Sequence, residues 1–152
     1  MTALEEQART VRRDLADTRR RSDALRLNEQ AAILRQEGRH AQALEAGEQA
    51  LETFRALRDR RNEALTLNGI GLTQARLGDE PGALDSYETA VALLSELGDR
   101  HGAGRVLANL GALHLGQGED DQARVVWQDA LERLEPGSPE HDRTAEQLRS
   151  AG

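Results

Sequence analysis

The chain has 152 residues and a mass of 16.7 kDa, which is the size of one ordinary domain. Its 27 acidic and 20 basic side chains give a formal net charge of -7, which argues against a nucleic-acid or anionic-membrane surface. With no cysteine for a disulfide framework and no apolar run that could span a membrane, we expect a soluble cytoplasmic protein.

The composition favours helices over sheets. Hydrophobic residues make up 38% of the chain but aromatic residues only 2%, so the core must consist mainly of Leu, Ala and Val. Closely packed helices use such side chains well, whereas sheets favour β-branched and aromatic residues. We therefore predict an all-α fold.

Residues 1–20 have the pattern of a helix. Thr2 and Glu5 are spaced as a capping box at its start. Small and apolar side chains follow at helical spacing, namely Leu4, Ala8, Val11 and Leu15. We expect this segment to be an N-terminal capping helix or a degenerate half-repeat, with Ser22 as the N-cap of the next helix.

Arginines cluster in the same segment, at Arg9, Arg12, Arg13, Arg19, Arg20 and Arg21. Acidic residues alternate with them at distances of three or four residues: Glu5, Glu6, Asp14 and Asp17. Such spacing permits ion pairs within one helix. We therefore favour a solvated helix face over a contact with phosphate or an anionic partner.

Residues 21–60, 61–100 and 101–140 align with one another without a gap. Small and apolar residues coincide in the columns Leu27/Leu67/Leu107, Gly38/Gly78/Gly118, Ala43/Ala83/Ala123 and Ala50/Ala90/Ala130. A constant shift of 40 residues in several columns indicates an internal repeat.

Each unit has the spacing of two antiparallel helices. Apolar residues recur at i, i+3, i+4 and i+7 on both sides of the glycine column, where a left-handed residue can end a helix. Asp79, Asp120 and Ser138 are expected N-caps. Tyr87 and Trp127 share a column and are expected to pack against the neighbouring Ala and Gly columns.

The end of the chain has a different character. Ser138 and Pro139 mark a helix start, and residues 139–152 are polar except for Leu148. We expect a C-terminal capping helix or tail that presents a solvated face.

The repeat resembles the tetratricopeptide repeat. The third unit has Leu107-x2-Leu110-Gly111, then Gly118, Ala123-x3-Trp127 and Ala130, which follows the pattern of that family. The 40-residue length resembles the arrays of actinobacterial regulators and kinesin light chains. The resemblance implies a right-handed α-solenoid with repeats at 21–60, 61–100 and 101–140, between end segments 1–20 and 139–152.

We find no pattern of a catalytic or cofactor site. The four histidines lack a metal-ligand spacing, and no phosphate loop or nucleophile elbow is present. His114 is expected to be a half-buried structural residue, and Glu119, Asp120 and Asp121 to open a helix. We therefore expect no enzyme, no cofactor and no metal.

The resemblance also implies a binding surface. In tetratricopeptide arrays the first helices of the repeats line a groove that takes extended peptides. The matching positions here are Asn28, Arg35, Asn68, Leu72, Arg76, Arg105 and Asn109. Because these positions are neutral or basic, we expect an acidic ligand or one with a free C-terminal carboxylate, although ordinary solvated polar positions would have the same composition.

Two functions follow as expectations. The first is a non-catalytic scaffold or adaptor that binds a peptide or protein segment in this groove, in bacterial signalling or transcriptional regulation. The second is a structural unit that forms a homodimer through the solenoid ends or an exchanged helix.

Overall fold

The chain folds into seven α-helices joined by short turns. A computed structural model describes residues 1–152, with helices α1 (Ala3–Gln36), α2 (His40–Ala56), α3 (Arg60–Arg76), α4 (Glu80–Glu96), α5 (Arg100–Gly116), α6 (Asp120–Arg133) and α7 (Pro139–Ser150). Each helix packs on its neighbours in sequence, and α3 also contacts α1 and α5. The structure has no strands, so the predicted all-α, tetratricopeptide-like solenoid is confirmed. None of the seven helices combines the length and apolarity needed to cross a bilayer.

The turns between helices recur every 20 residues. At Gly78 the backbone is left-handed, with a φ of 79°, and the amide of Asp79 donates to the carbonyl oxygen of Gln74 at 2.9 Å. This is the Schellman arrangement, which satisfies the last carbonyls of a helix. The predicted turn glycines Gly38, Gly78 and Gly118 all adopt it, and so does Gly98. Arg58 occupies the same place with a φ of 55°, although a side chain disfavours that conformation.

Two of the predicted N-caps are confirmed and two are wrong. Asp79 accepts from the amide of Gly82 at 3.0 Å, and Ser138 accepts from the amide of His141 at 3.2 Å. Asp120 is instead the first helical residue after the N-cap Glu119. Ser22 lies inside α1, far from either end.

Helix α1 is twice as long as its neighbours. Its 34 residues include both the predicted N-terminal segment and the first helix of the first unit. The capping box is present, since Thr2 Oγ1 accepts from the Glu5 amide and Glu5 Oε2 from the Thr2 amide, both at 3.1 Å. The helix then continues because no glycine or proline occurs before residue 38. Residues 3–20 extend away from the other helices and are almost entirely exposed.

Polar contacts between units recur at a spacing of 38 residues. Arg21 is paired with Asp59, and Arg61 with Asp99, each at 3.0 Å. Burial by itself would raise the pKa of Asp59, but hydrogen bonds from Asn62 and Arg21 outweigh it and lower that pKa below its usual value. These pairs tie the start of one unit to the start of the next.

The aromatic rings pack as the repeat columns predict. Trp127 and Tyr87 are buried, each against a glycine of the preceding helix. A Cβ atom at Gly71 would lie 2.6 Å from the Tyr87 ring, and one at Gly111 would collide with Trp127. The Trp127 indole also donates to the carbonyl oxygen of Ala108 at 3.0 Å. Small residues on one helix therefore make the space that a ring on the next helix fills.

Helix α7 follows α6 and lies where the first helix of a further unit would lie. It packs on α6 through the buried Thr144 and the half-buried Leu148, and its remaining side chains are mostly exposed. One of its faces adjoins α5, which makes it part of the surface described next.

Candidate functional site

The seven predicted binding residues lie on three neighbouring first helices. Their positions are Asn28 and Arg35 on α1, Asn68, Leu72 and Arg76 on α3, and Arg105 and Asn109 on α5. Three adjoining depressions contain all seven side chains, and Leu72 lines each depression. The structure therefore brings the whole set together on one surface, which we call the groove.

The first depression lies between α1 and α3 and has a volume of about 310 Å³. Asn28 Nδ2 donates to Thr66 Oγ1 at 2.7 Å. Arg35 Nη1 lies 3.4 Å from both Gly69 O and Thr73 Oγ1, which is long for a hydrogen bond. No carboxylate is within ion-pair distance of Arg35, so its charge is free for a ligand.

The second depression lies between α3, α5 and α7 and has a volume of about 340 Å³. Asn109 Nδ2 donates to Asn68 Oδ1 at 2.9 Å. This bond leaves the amide hydrogens of Asn68 and the carbonyl oxygen of Asn109 free to pair with a peptide backbone. Arg105 Nε is 3.9 Å from Glu140 Oε1, a loose contact that a stronger anionic ligand can replace.

The third depression, of about 390 Å³, lies between α3, α4 and α5 and contains Arg76 and Tyr87. Arg76 is exposed and has no ion-pair partner within the chain. Tyr87 belongs to α4, and its ring passes α3 at Gly71. The ring is part of the core, yet its side chain also lines the groove.

Arg35, Arg76 and Tyr87 influence one another electrostatically. Burial raises the pKa of Tyr87 to about 12, against the opposing effect of both guanidiniums. Burial also lowers the pKa of Arg35, an effect that the charge of Arg76 reinforces. At neutral pH the phenol therefore keeps its proton, and both arginines keep their charge. The result is one unpaired cation in the first depression, Arg35, and one in the third, Arg76, where the phenol of Tyr87 also lies.

The charge of the groove differs from that of the whole chain. Its lining includes four arginines and two glutamates, namely Arg35, Arg76, Arg105, Arg143, Glu80 and Glu140. The chain as a whole carries a formal charge of -7. The groove is thus locally basic on an acidic molecule, as the residue types at the predicted positions suggest.

Sequence reasoning missed several groove residues. Tyr87 was expected only as a packing residue, and Arg143 only as part of a polar tail. Thr66 accepts a hydrogen bond from Asn28, and Thr73 lies beside Arg35, but neither threonine belongs to a motif. The signal for Tyr87 is Gly71, because a missing side chain on a groove helix lets a ring from the helix behind it pack close to the groove.

Two other predicted features are confirmed as structural. His114 Nδ1 lies 3.1 Å from Glu119 Oε2, and its side chain is largely buried. Glu119 is the N-cap residue of α6 but makes no side-chain capping bond, and Asp120 and Asp121 lie in the first turn, where acidic side chains interact favourably with the helix dipole.

Comparison with known families supports the same conclusion. The family described as tetratricopeptide repeat matches residues 23–96, which extend from the packed half of α1 to the end of α4. These residues therefore form tetratricopeptide repeats. Proteins of this family are in general non-catalytic modules for protein–protein interaction. No curated protein matches the chain.

Proposed function

We propose that the groove binds an acidic segment or the carboxy-terminal end of a protein partner. The single observation that carries this proposal is that Arg76, which lines the third depression with Tyr87, and Arg35, which lines the first, are paired with no carboxylate of the chain. A guanidinium can hold a carboxylate through two parallel hydrogen bonds, and a phenol can add a third donor. The partner's carboxylate would therefore lie at the third depression.

The backbone of the ligand would extend from there over Leu72 towards Asn68 and Asn109. The free amide hydrogens of Asn68 can donate to a peptide carbonyl, and the free oxygen of Asn109 can accept from a peptide amide. Leu72 supplies an apolar contact that all three depressions share. In this arrangement the contacts with the carboxylate supply affinity, and the contacts with the peptide backbone fix the direction in which the ligand runs.

An NMR titration tests the proposal. The probe is a hexapeptide of alternating Glu and Ala with a free carboxy terminus, added to the ¹⁵N-labelled chain. We expect shifts of the side-chain amides of Asn68 and Asn109 and of the Nε signals of Arg35 and Arg76. Rising salt should weaken binding, because the attraction is between exposed charges.

Matched variants separate the groove from a general attraction. Arg76→Glu and Tyr87→Phe should weaken binding, the first by at least about tenfold and the second by less, since a charge-assisted contact is stronger than a neutral one. Arg26→Gln removes an exposed arginine outside the groove and should leave binding unchanged. Equal effects of Arg76→Glu and Arg26→Gln, or shifts confined to α2, α4 and α6, would contradict the proposal.

The same titration distinguishes the two forms of ligand. Amidation of the peptide's carboxy terminus should abolish binding if the terminal carboxylate occupies the site. Replacement of the Glu residues by Gln should abolish it if side-chain carboxylates do. Self-association, the other function expected from the sequence, would leave the groove open, because the exposed apolar side chains of α1 lie outside it.

A further inference from the structure

The first half of α1 is a helix without a partner. Leu4, Val11 and Leu15 are 77%, 57% and 65% exposed, and residues 3–20 lie outside the part of the chain that matches the repeat family. Isolated helices of this length are marginal in water, and helical stability in proteins comes mainly from packing of an apolar face. An exposed apolar face of this kind is characteristic of an interaction surface.

The spacing of these side chains is that of a coiled coil. Leu4, Ala8, Val11 and Leu15 follow one another at intervals of four, three and four residues, which are the a and d positions of a heptad repeat. They therefore form one seam along the helix. A seam of two heptads needs a helix of matching length and pattern as its partner.

We propose that the N-terminal halves of α1 from two copies of this chain pair with each other in antiparallel orientation. In this pairing Leu4 faces Leu15 of the second copy, and the small Ala8 faces the larger Val11. The two ends are then closed by leucine pairs and the centre by pairs of Ala with Val. Parallel pairing would instead place Ala8 on Ala8 and leave a gap.

The charges beside the seam complement one another in this orientation. Glu5 and Arg12 both occupy e positions, which face each other in an antiparallel pair, so two Glu5–Arg12 contacts form across the dimer. Within one chain Arg12 has no ion-pair partner, and neither do Arg9, Arg13 or Arg19. The expected intrahelical pairs of this cluster are thus largely absent, and only Arg20 and Asp17 form one, at 3.7 Å.

The length of the free helix also fits. In the proposed pairing Ala3 of one copy lies opposite Ala16 of the other. Arg21 is the first residue of α1 whose side chain makes a polar contact outside α1 and its own N-cap, with Asp59 at the N-cap of α3. The paired segment therefore ends before the solenoid begins, and the two solenoids lie at opposite ends of the pair. Because the helix is already anchored by its second half, pairing needs little further ordering.

Sedimentation equilibrium over about 1 to 300 µM protein tests the partner, since weak homodimers fall in this range. The mass should rise from 16.7 kDa towards twice that value as concentration increases. Leu15→Glu should raise the dissociation constant at least about tenfold. Val125→Glu is the matched control, because Val125 is 64% exposed on α6, away from the seam, and it should leave the dimer intact.

The dimerisation experiment and the peptide-binding experiment on the groove have distinguishable outcomes. Leu15 makes no buried contact, so circular dichroism of Leu15→Glu should match the parent chain, and its binding of the acidic hexapeptide should be unchanged. A parent chain that stays monomeric over the whole range overturns the proposal. So does a Leu15→Glu variant that dimerises as well as the parent.

Disulfide crosslinking tests the orientation, and it is simple because the chain has no cysteine. A mixture of Leu4→Cys and Leu15→Cys chains should form mixed disulfides under mild oxidation, whereas each variant alone should not. In an antiparallel pair, Leu4 is about 16 Å from its own copy, far beyond disulfide reach. Efficient crosslinking of Leu4→Cys alone would overturn the antiparallel arrangement.

Discussion

The first and third units use the same repeat column in different ways. In the third unit Gly111 faces Trp127, so a missing side chain on one helix admits a large ring from the next. In the first unit the corresponding residues are Ala31 and Gly47, and no ring is present. Ile70 of the second unit covers Gly47 instead. The space between helices is therefore filled in both units, but by different residues.

The core reflects this difference. One cluster of 16 buried residues extends from Leu51 to Leu134. The first unit contributes two small separate clusters, one around Leu34 and one around Phe54. Since solenoid stability is roughly a sum of unit and interface contributions, we expect the first unit to open before the others.

The largest effect should come from removing the ring of the third unit. Trp127→Ala is expected to lower the free energy of unfolding by about 3–5 kcal/mol, because it leaves a cavity and removes the indole hydrogen bond to the Ala108 carbonyl oxygen. Urea denaturation measures this loss. A loss below about 1 kcal/mol would mean that the ring does not support the unit.

Two glycine variants test how the third and the first unit fill the space between their helices. Gly111→Ala should destabilise by about 1–3 kcal/mol, because the new methyl group collides with Trp127. Gly47→Ala should change stability by less than about 1 kcal/mol, since a Cβ there lies 3.0 Å from Ile70 Cγ1, a contact that a small shift relieves, and alanine favours the helix. Equal losses in thermal denaturation would contradict the comparison.

A stabilising change is expected at the turn that ends the first unit. Arg58 has a left-handed φ of 55°, which glycine adopts at the equivalent turns. Arg58→Gly should raise the free energy of unfolding by about 0.5–1 kcal/mol, because relief of the strain exceeds the entropy cost of glycine. Gly98→Ala is the converse control and should destabilise. The melting temperatures of both variants test the assignment, and a lower value for Arg58→Gly would refute it.

The smallest effect concerns the contact between the first and second units. Asp59 has a lowered pKa in the folded state, so its ionised form adds stability above its unfolded value of 3.8. That contribution is lost as the pH falls from this value through the lower folded pKa. Asp59→Asn should therefore reduce stability at neutral pH and flatten its decline on acidification. Urea denaturation at several pH values measures how the free energy of unfolding of the parent chain and of Asp59→Asn depends on pH. An equal dependence in the two proteins would assign the acid sensitivity to other carboxylates.

Much of the fold could be predicted from residues whose type favours one structural role. Gly38, Gly78 and Gly118 indicated turns because a left-handed backbone favours glycine, and the ring column indicated packing because only a gap admits a ring. The start of α1 could not be predicted in this way. Ser22 has the chemistry of an N-cap, but a cap is used only where the helix is interrupted, and nothing between residues 1 and 37 interrupts it.

The groove was predictable in position more than in detail. Asn68 and Arg76 were expected in the groove because the resemblance to tetratricopeptide arrays implies these positions. The meeting of Tyr87 with Arg76 and Asn109 in one depression depends on three helices at once. Such a contact between units is set by their packing angle, which no local pattern in the sequence encodes.

The ion pairs that join each first helix to the N-cap of the next first helix have a consequence for how arrays of this kind can grow. Arg21 and Asp59 both belong to residues 21–60, and Arg61 and Asp99 both belong to residues 61–100. Duplication of a complete 40-residue block would therefore carry its own pair into the longer chain and leave the existing pairs at their spacing. An insertion of any other length would break that register. The groove can thus be lengthened only in whole steps, each adding roughly the 8–10 Å between packed helices.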